Sequence, residues 1–111
     1  MKRTMSSIAA LVCLAVGGCM RVVHDFTIHD PAGVVSSAEL YLCGKQRLLA
    51  GSEGVWTYEL VNSCEGHGVI AIRLKDNRST VCHIVYVTTL DQSFEYVIED
   101  GQCRPADLPT A

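Results

Sequence analysis

The chain has 111 residues, with nine Lys and Arg, twelve Asp and Glu, and a formal net charge of −3. That length allows one domain with a thin stability margin. The acidic balance argues against nucleic acid as a partner, because phosphate binding needs clustered Lys and Arg. It also argues against a flat basic face lying on anionic lipid, and leaves a solvated acidic surface as the ordinary reading.

The first elements are a charged pair and an apolar run. Lys2 and Arg3 precede Ile8, Ala9, Ala10, Leu11, Val12, Cys13, Leu14, Ala15 and Val16, and then Gly17, Gly18 and Cys19. A positive start, a short apolar core and small residues form a secretory signal, and the core is too short to span a bilayer, which takes about 20 residues. The ending Val16, Gly17, Gly18, Cys19 resembles the lipobox of bacterial lipoproteins. That resemblance covers residues 1–19 and says nothing of the fold that follows. It implies cleavage after residue 18, a diacylglycerol on the Cys19 thiol and an acyl chain such as palmitate on the freed amine. Several chains on one residue hold firmly, where one chain binds only marginally. Met20 stands where an aspartate would favour inner-membrane retention, so the resemblance implies the outer membrane, facing the periplasm. The alternative is an ordinary signal peptide with a cysteine beside its cleavage site. Cys13 reads as a small hydrophobe in the discarded segment.

The remainder, 19–111, reads as one periplasmic β domain. Residues 21–29 alternate, with Val22, His24, Phe26 and Ile28 on one side, which predicts a strand. Asp30, Pro31, Ala32 and Gly33 make a turn by composition. A second strand is expected over 34–43, with Ala38, Leu40 and Leu42 on one face, and Gly44 breaks it. The short apolar piece at 47–50 leads to a turn at 51–54. A third strand at 55–61 puts Trp56, Tyr58 and Leu60 on one face, and 62–68 reads as a loop.

The clearest hairpin follows. Ile70, Ile72 and Leu74 share a face in 69–75, residues 76–79 reverse the chain, and 80–90 returns with apolar residues on both faces. A strand apolar on both sides is expected at the centre of a sheet. Phe94, Tyr96 and Ile98 then oppose Glu95 and Glu99, and 104–111, with two prolines, is expected to be a frayed tail. Six to seven short strands with regular turns and no helical period predict an all-β protein, a small disulfide-stapled β-sandwich, immunoglobulin-like or transthyretin-like in arrangement.

Four cysteines besides Cys19 remain after cleavage, and an even number in an exported chain predicts two disulfides among three possible pairings. Cys82 and Cys103 are equidistant from a turn at Gln92-Ser93, and Cys43 and Cys64 from one at Glu53-Gly54. Opposed positions in a hairpin lie close enough to bridge, so Cys43–Cys64 and Cys82–Cys103 are expected.

Candidate chemistry is sparse. His24, His29, His67 and His83 are possible metal ligands, and Cys64, Glu65, Gly66 and His67 form a mixed run. An odd separation puts His24 and His29 on opposite sides of a strand, and no His-x-x-x-His or Cys-x-x-Cys spacing follows Cys19. Surface or loop histidines are the expected reading. Ser36, Ser37, Ser79 and Ser93 lack a Gly-x-Ser-x-Gly elbow, and Glu99 and Asp100 point to opposite faces. Neither an enzyme nor a cofactor is expected. Trp56, Tyr58, Tyr86 and Tyr96 read first as core, and Tyr41 and Tyr86, on the less apolar faces, as a possible partner surface. The expected function is a lipid-anchored envelope lipoprotein that binds or scaffolds, with another envelope protein as its partner. The alternatives are a periplasmic inhibitor or immunity-type protein and a small metal-handling protein.

Overall fold

The structure, a computed structural model, describes residues 21–62 and 64–106. The signal segment and Cys19 lie outside the described residues, as do the last five residues of the expected tail. Nine strands are described: β1 (Val23–His29), β2 (Val35–Leu42), β3 (Lys45–Leu48), β4 (Ala50–Ser52), β5 (Val55–Val61), β6 (Gly66–Leu74), β7 (Ser79–Val87), β8 (Gln92–Glu99) and β9 (Gln102–Pro105). They form a five-stranded sheet, ordered β4-β5-β1-β8-β9, and a four-stranded sheet, ordered β3-β2-β6-β7. The protein is therefore a small all-β sandwich.

Alternation decides which side of each strand is inside. His24, Phe26 and Ile28 of β1 are completely buried. Trp56, Tyr58 and Leu60 of β5 stand opposite them in antiparallel register and pack against the core. The other sheet contributes Ala38, Leu40 and Leu42 from β2, Ile70, Ile72 and Leu74 from β6, and Cys82, Ile84 and Val87 from β7. Each large aliphatic side chain buried in this layer stabilises the fold by about 1.5–3 kcal/mol. Phe26 and Phe94, paired across the parallel β1–β8 ladder, stack with centroids 5.2 Å apart.

β1 and β2 lie in different sheets, and β1 runs between β5 and β8, parallel to β8. An immunoglobulin sandwich pairs its first two strands in one sheet. The order therefore departs from the immunoglobulin arrangement.

The turn at residues 30–33 is fixed by a buried aspartate. The Asp30 carboxylate accepts hydrogen bonds from the amides of Val34 at 3.0 Å and Val35 at 2.9 Å. Its own amide donates to the Gly54 carbonyl at 2.7 Å, which ties the β1–β2 turn to the β4–β5 turn. Gly33 takes a positive φ of 67°, which closes the turn at little steric cost.

Three expectations are corrected. The strands number nine among the described residues, because the short piece after Gly44 splits into β3 and β4 around buried Leu49, and because β9 exists. Residues 104 and 105 are not frayed: they belong to β9, whose Cys103 faces Ile98 of β8. The strand at 80–90 is not central. It is β7, an edge strand, so its second apolar face is exposed rather than buried. The cysteines pair as expected, Cys43 with Cys64 and Cys82 with Cys103, but by a different route through the fold. Cys82–Cys103 joins β7 of one sheet to β9 of the other, with Cα atoms 5.3 Å apart. Cys43–Cys64 joins the β2–β3 turn to the crossover between β5 and β6, with Cα atoms 6.0 Å apart. The β4–β5 hairpin does turn at Glu53-Gly54, with Ala50 opposite Thr57, but Cys43 and Cys64 lie beyond its ends, and Gln92 and Ser93 open β8 and make no turn. β8 pairs with β1 and β9 rather than with β7, and β5 pairs with β1 and β4.

Candidate functional site

The outer face of the four-stranded sheet is where exposed apolar side chains gather. The registers set it out in rows across the strands. One row runs Ser37, Arg73, Ser79; the next Leu48, Glu39, Ala71, Val81; the next Gln46, Tyr41, Val69, His83. Beyond these lie His67, Val85 and Tyr86. Polar groups run through every row, with Arg73, Glu39, Gln46, His83 and His67 sharing the face with the apolar and aromatic side chains.

Exposure is high for residues of this type. Leu48 is 68% exposed, Val85 75%, Tyr86 43% and Val81 41%. Single apolar side chains on a surface are ordinary; here four exposed ones share one sheet face. An open hollow of about 500 Å³ lies within it, bounded by Tyr41, His67, Val69, His83 and Val85.

A bulge creates the densest part. β6 and β7 keep register from Arg73↔Ser79 to Gly68↔Ile84, then slip so that Gly66 faces Val87. The slip breaks the alternation after Ile84: Val85 and Tyr86 are both exposed, and Val87 returns to the core. Bulges on edge strands re-aim side chains in this way. Side chains from the next segment hold the bulge. Gln92 donates its amide to the Tyr86 carbonyl at 3.2 Å and accepts from the Thr88 amide at 2.7 Å. The Tyr96 hydroxyl reaches through from the other sheet and donates to the His83 carbonyl at 3.0 Å. Burial raises the Tyr96 phenol above its ordinary value.

The rings on the face are positioned by one another. His67 and Tyr86 meet edge to face with centroids 5.1 Å apart. The Tyr41 hydroxyl donates to Glu39 Oε1 at 2.6 Å. That bond to a carboxylate raises the Tyr41 phenol above its ordinary value, with local desolvation and the Glu39 charge acting the same way. Gly68 makes room for the strand approach: a Cβ there would stand 2.7 Å from the Tyr41 carbonyl oxygen and 2.8 Å from Leu42 Cδ1.

Tyr41 and Tyr86, expected as a partner surface, are both on this face: Tyr41 borders the hollow, and Tyr86 packs on His67, which borders it too. Trp56, Tyr58 and Tyr96 pack with the core as expected, whereas Tyr86 does not. The reading of the sequence missed Val85, Val81 and Leu48. Their apolar character was legible, but nothing local distinguishes an edge strand with one bare face from a central strand buried on both.

The histidines take separate roles. His24 is not a surface residue: it is completely buried, and its Nε2 donates to the Thr88 carbonyl at 3.0 Å, holding the loop that precedes β8. His29 Nε2 lies 2.9 Å from Glu95 Oε1 on the outer side of the five-stranded sheet. Among the described residues, no three His, Cys, Asp or Glu side chains gather in one place.

No protein-family model matches the chain. No curated protein matches it. Among solved structures, an NMR structure of a protein from Eubacterium rectale is similar, with a TM-score of 0.53, 79% of this chain and 90% of that chain covered, and 10% identity. At that identity the likeness concerns the fold alone.

Proposed function

We propose that this chain is a lipid-anchored lipoprotein of the bacterial envelope, acylated at Cys19 and held at the outer membrane facing the periplasm, and that it works by binding another envelope protein. The observation that carries the binding role is the bare apolar face of the four-stranded sheet, with Val85 and Tyr86 presented by a bulge. Four large exposed apolar side chains on one sheet face favour a protein partner over solvent.

The anchor and this face suit one another. The Asn62 amide donates to the Val22 carbonyl at 2.8 Å, and the Val22 amide donates to Asn62 Oδ1 at 3.0 Å. The Val23 amide donates to Asp91 Oδ1 at 2.7 Å. The start of β1 is thereby clamped between the loops that follow β5 and β7. Cys19 is three residues before Val22, a reach of about 10 Å. β7 ends at Val87 on the same end of the sandwich, so the His67–Tyr86 corner lies near the proposed membrane side.

Palmitate labelling with membrane fractionation, on wild type and Cys19→Ala, tests the anchored reading. Label on the wild type alone, in outer-membrane fractions, is expected. An unlabelled, soluble wild-type protein would contradict it.

A further inference from the structure

On the side opposite β7, the sandwich gapes. β3 is the edge strand of one sheet, and β5, extended only by the short β4, is near the edge of the other. Between them lies a cleft of about 620 Å³. Its floor is Leu40 and Leu42, its far wall Tyr58 and Leu60, and one end is closed by Cys43 and Cys64. That bridge ties the turn after β2 to the chain leaving β5, so it fixes the two walls to each other.

The mouth is cationic. Lys45 stands opposite Leu42 and Arg47 opposite Leu40, both of which are buried, so alternation turns the two charged residues toward the inside of the sandwich. An apolar residue at either position would close the gap. Neither cation makes an ion pair among the described residues, although acidic residues outnumber basic ones in the chain. Arg47 Nη1 donates to the Gln46 carbonyl at 2.8 Å, and no other hydrogen bond of its guanidinium is made among the described residues. Glu59 lies at the rim, but it is opposite Asp25 on the outer side of its sheet, 3.8 Å from Arg21. Inward charges on an edge strand also discourage edge-to-edge pairing. That role does not require an apolar cleft behind the charges.

We propose that this cleft binds a small amphiphile with one anionic head, the head held by Lys45 and Arg47 and the apolar tail lying between Leu40 and Leu42 on one side and Tyr58 and Leu60 on the other. The volume is within the range of about 300–1,000 Å³ typical of small-molecule sites, and an apolar lining with a few placed charges is their usual composition. A planar guanidinium beside an ammonium suits a carboxylate or a comparable oxyanion. The proposal does not depend on acylation of Cys19.

The test is calorimetric titration of decanoate and of decanol into the full chain carrying Cys19→Ala, which has no acyl group of its own to compete. Decanoate is expected to bind one to one, and decanol about tenfold more weakly or worse, as befits loss of a charged hydrogen-bonding partner. Lys45→Gln with Arg47→Gln is expected to weaken decanoate by a similar factor and leave decanol unchanged. Both side chains are exposed, so the variant is expected to fold, and its circular dichroism checks this. Independently, decanoate is expected to shift the amide resonances of Leu40, Leu42, Tyr58 and Leu60 in the parent chain. Absence of saturable binding, equal affinity for the two probes, no effect of the double substitution, or shifts centred on Val69 and Val85 would each overturn the proposal.

Discussion

At the scale of single residues, the molecule depends on a few positions where size or protonation leaves no latitude. Gly68 is the clearest. Any Cβ would meet backbone, the Tyr41 carbonyl, rather than a side chain that can rotate away. Gly68→Ala is expected to destabilise the protein by about 1–3 kcal/mol, the usual range for overpacking, and urea unfolding measures it. Tyr96 makes a prediction in pH. Burial favours its neutral form, so its folded value is above the ordinary one of about 10. The stability it contributes is fully present below the ordinary value and is lost as pH rises through the folded one. Alkaline titration followed by phenolate absorbance is expected to show Tyr96 ionising late. Tyr96→Phe is expected to remove that step, along with the bond to the His83 carbonyl that steadies β7.

At the scale of elements, the two disulfides divide the work. They close loops of equal sequence separation, 21 residues each, so chain entropy ranks them alike. Surroundings do not. Cys82 is buried and its bridge joins the sheets, whereas Cys43 and Cys64 are exposed at one end of the molecule. Titration with a mild reductant is expected to open Cys43–Cys64 first, read by mass after alkylation. Replacing Cys82 and Cys103 together by Ala is expected to cost about 2–5 kcal/mol. The strands themselves were largely legible in the sequence. Alternation in 21–29, 34–43, 55–61 and 69–75 names the residues that face the core, because a strand has only two sides. What alternation cannot carry is partnership. Residues 80–90 and 94–100 look like a hairpin in sequence, yet they belong to different sheets, and β8 pairs with β1, where Phe94 stacks on Phe26. The strand at 102–105 was hidden by its proline, which an edge strand accepts. The candidate site was legible only at Tyr41 and Tyr86. The bulge that exposes Val85 arises from the slip between Gly66 and Gly68 against β7, a long-range pairing that no local pattern announces.

At the scale of the whole molecule, the two outer faces differ in how far their apolar side chains are exposed. The outer face of the five-stranded sheet carries Asp25, Thr27, Glu59, Glu95 and His29 together with Val23, Val55, Val61 and Val97, of which Val61 is exposed at 37%. The outer face of the four-stranded sheet carries Leu48, Val69, Val81, Val85 and Tyr86. That asymmetry, together with the proposed anchor close to the start of β1, underlies the reading of a tethered binding module. The central claim is that the bare face meets a partner at the membrane. The most direct measurement is photocrosslinking in living cells with a photoreactive residue at Val85 and, as a control, at Thr57 on the outer face of the other sheet. A discrete adduct from Val85 in the membrane fraction, weakened by Cys19→Ala, is expected, and none from Thr57. No adduct at Val85, or equal adducts from both faces, would contradict it.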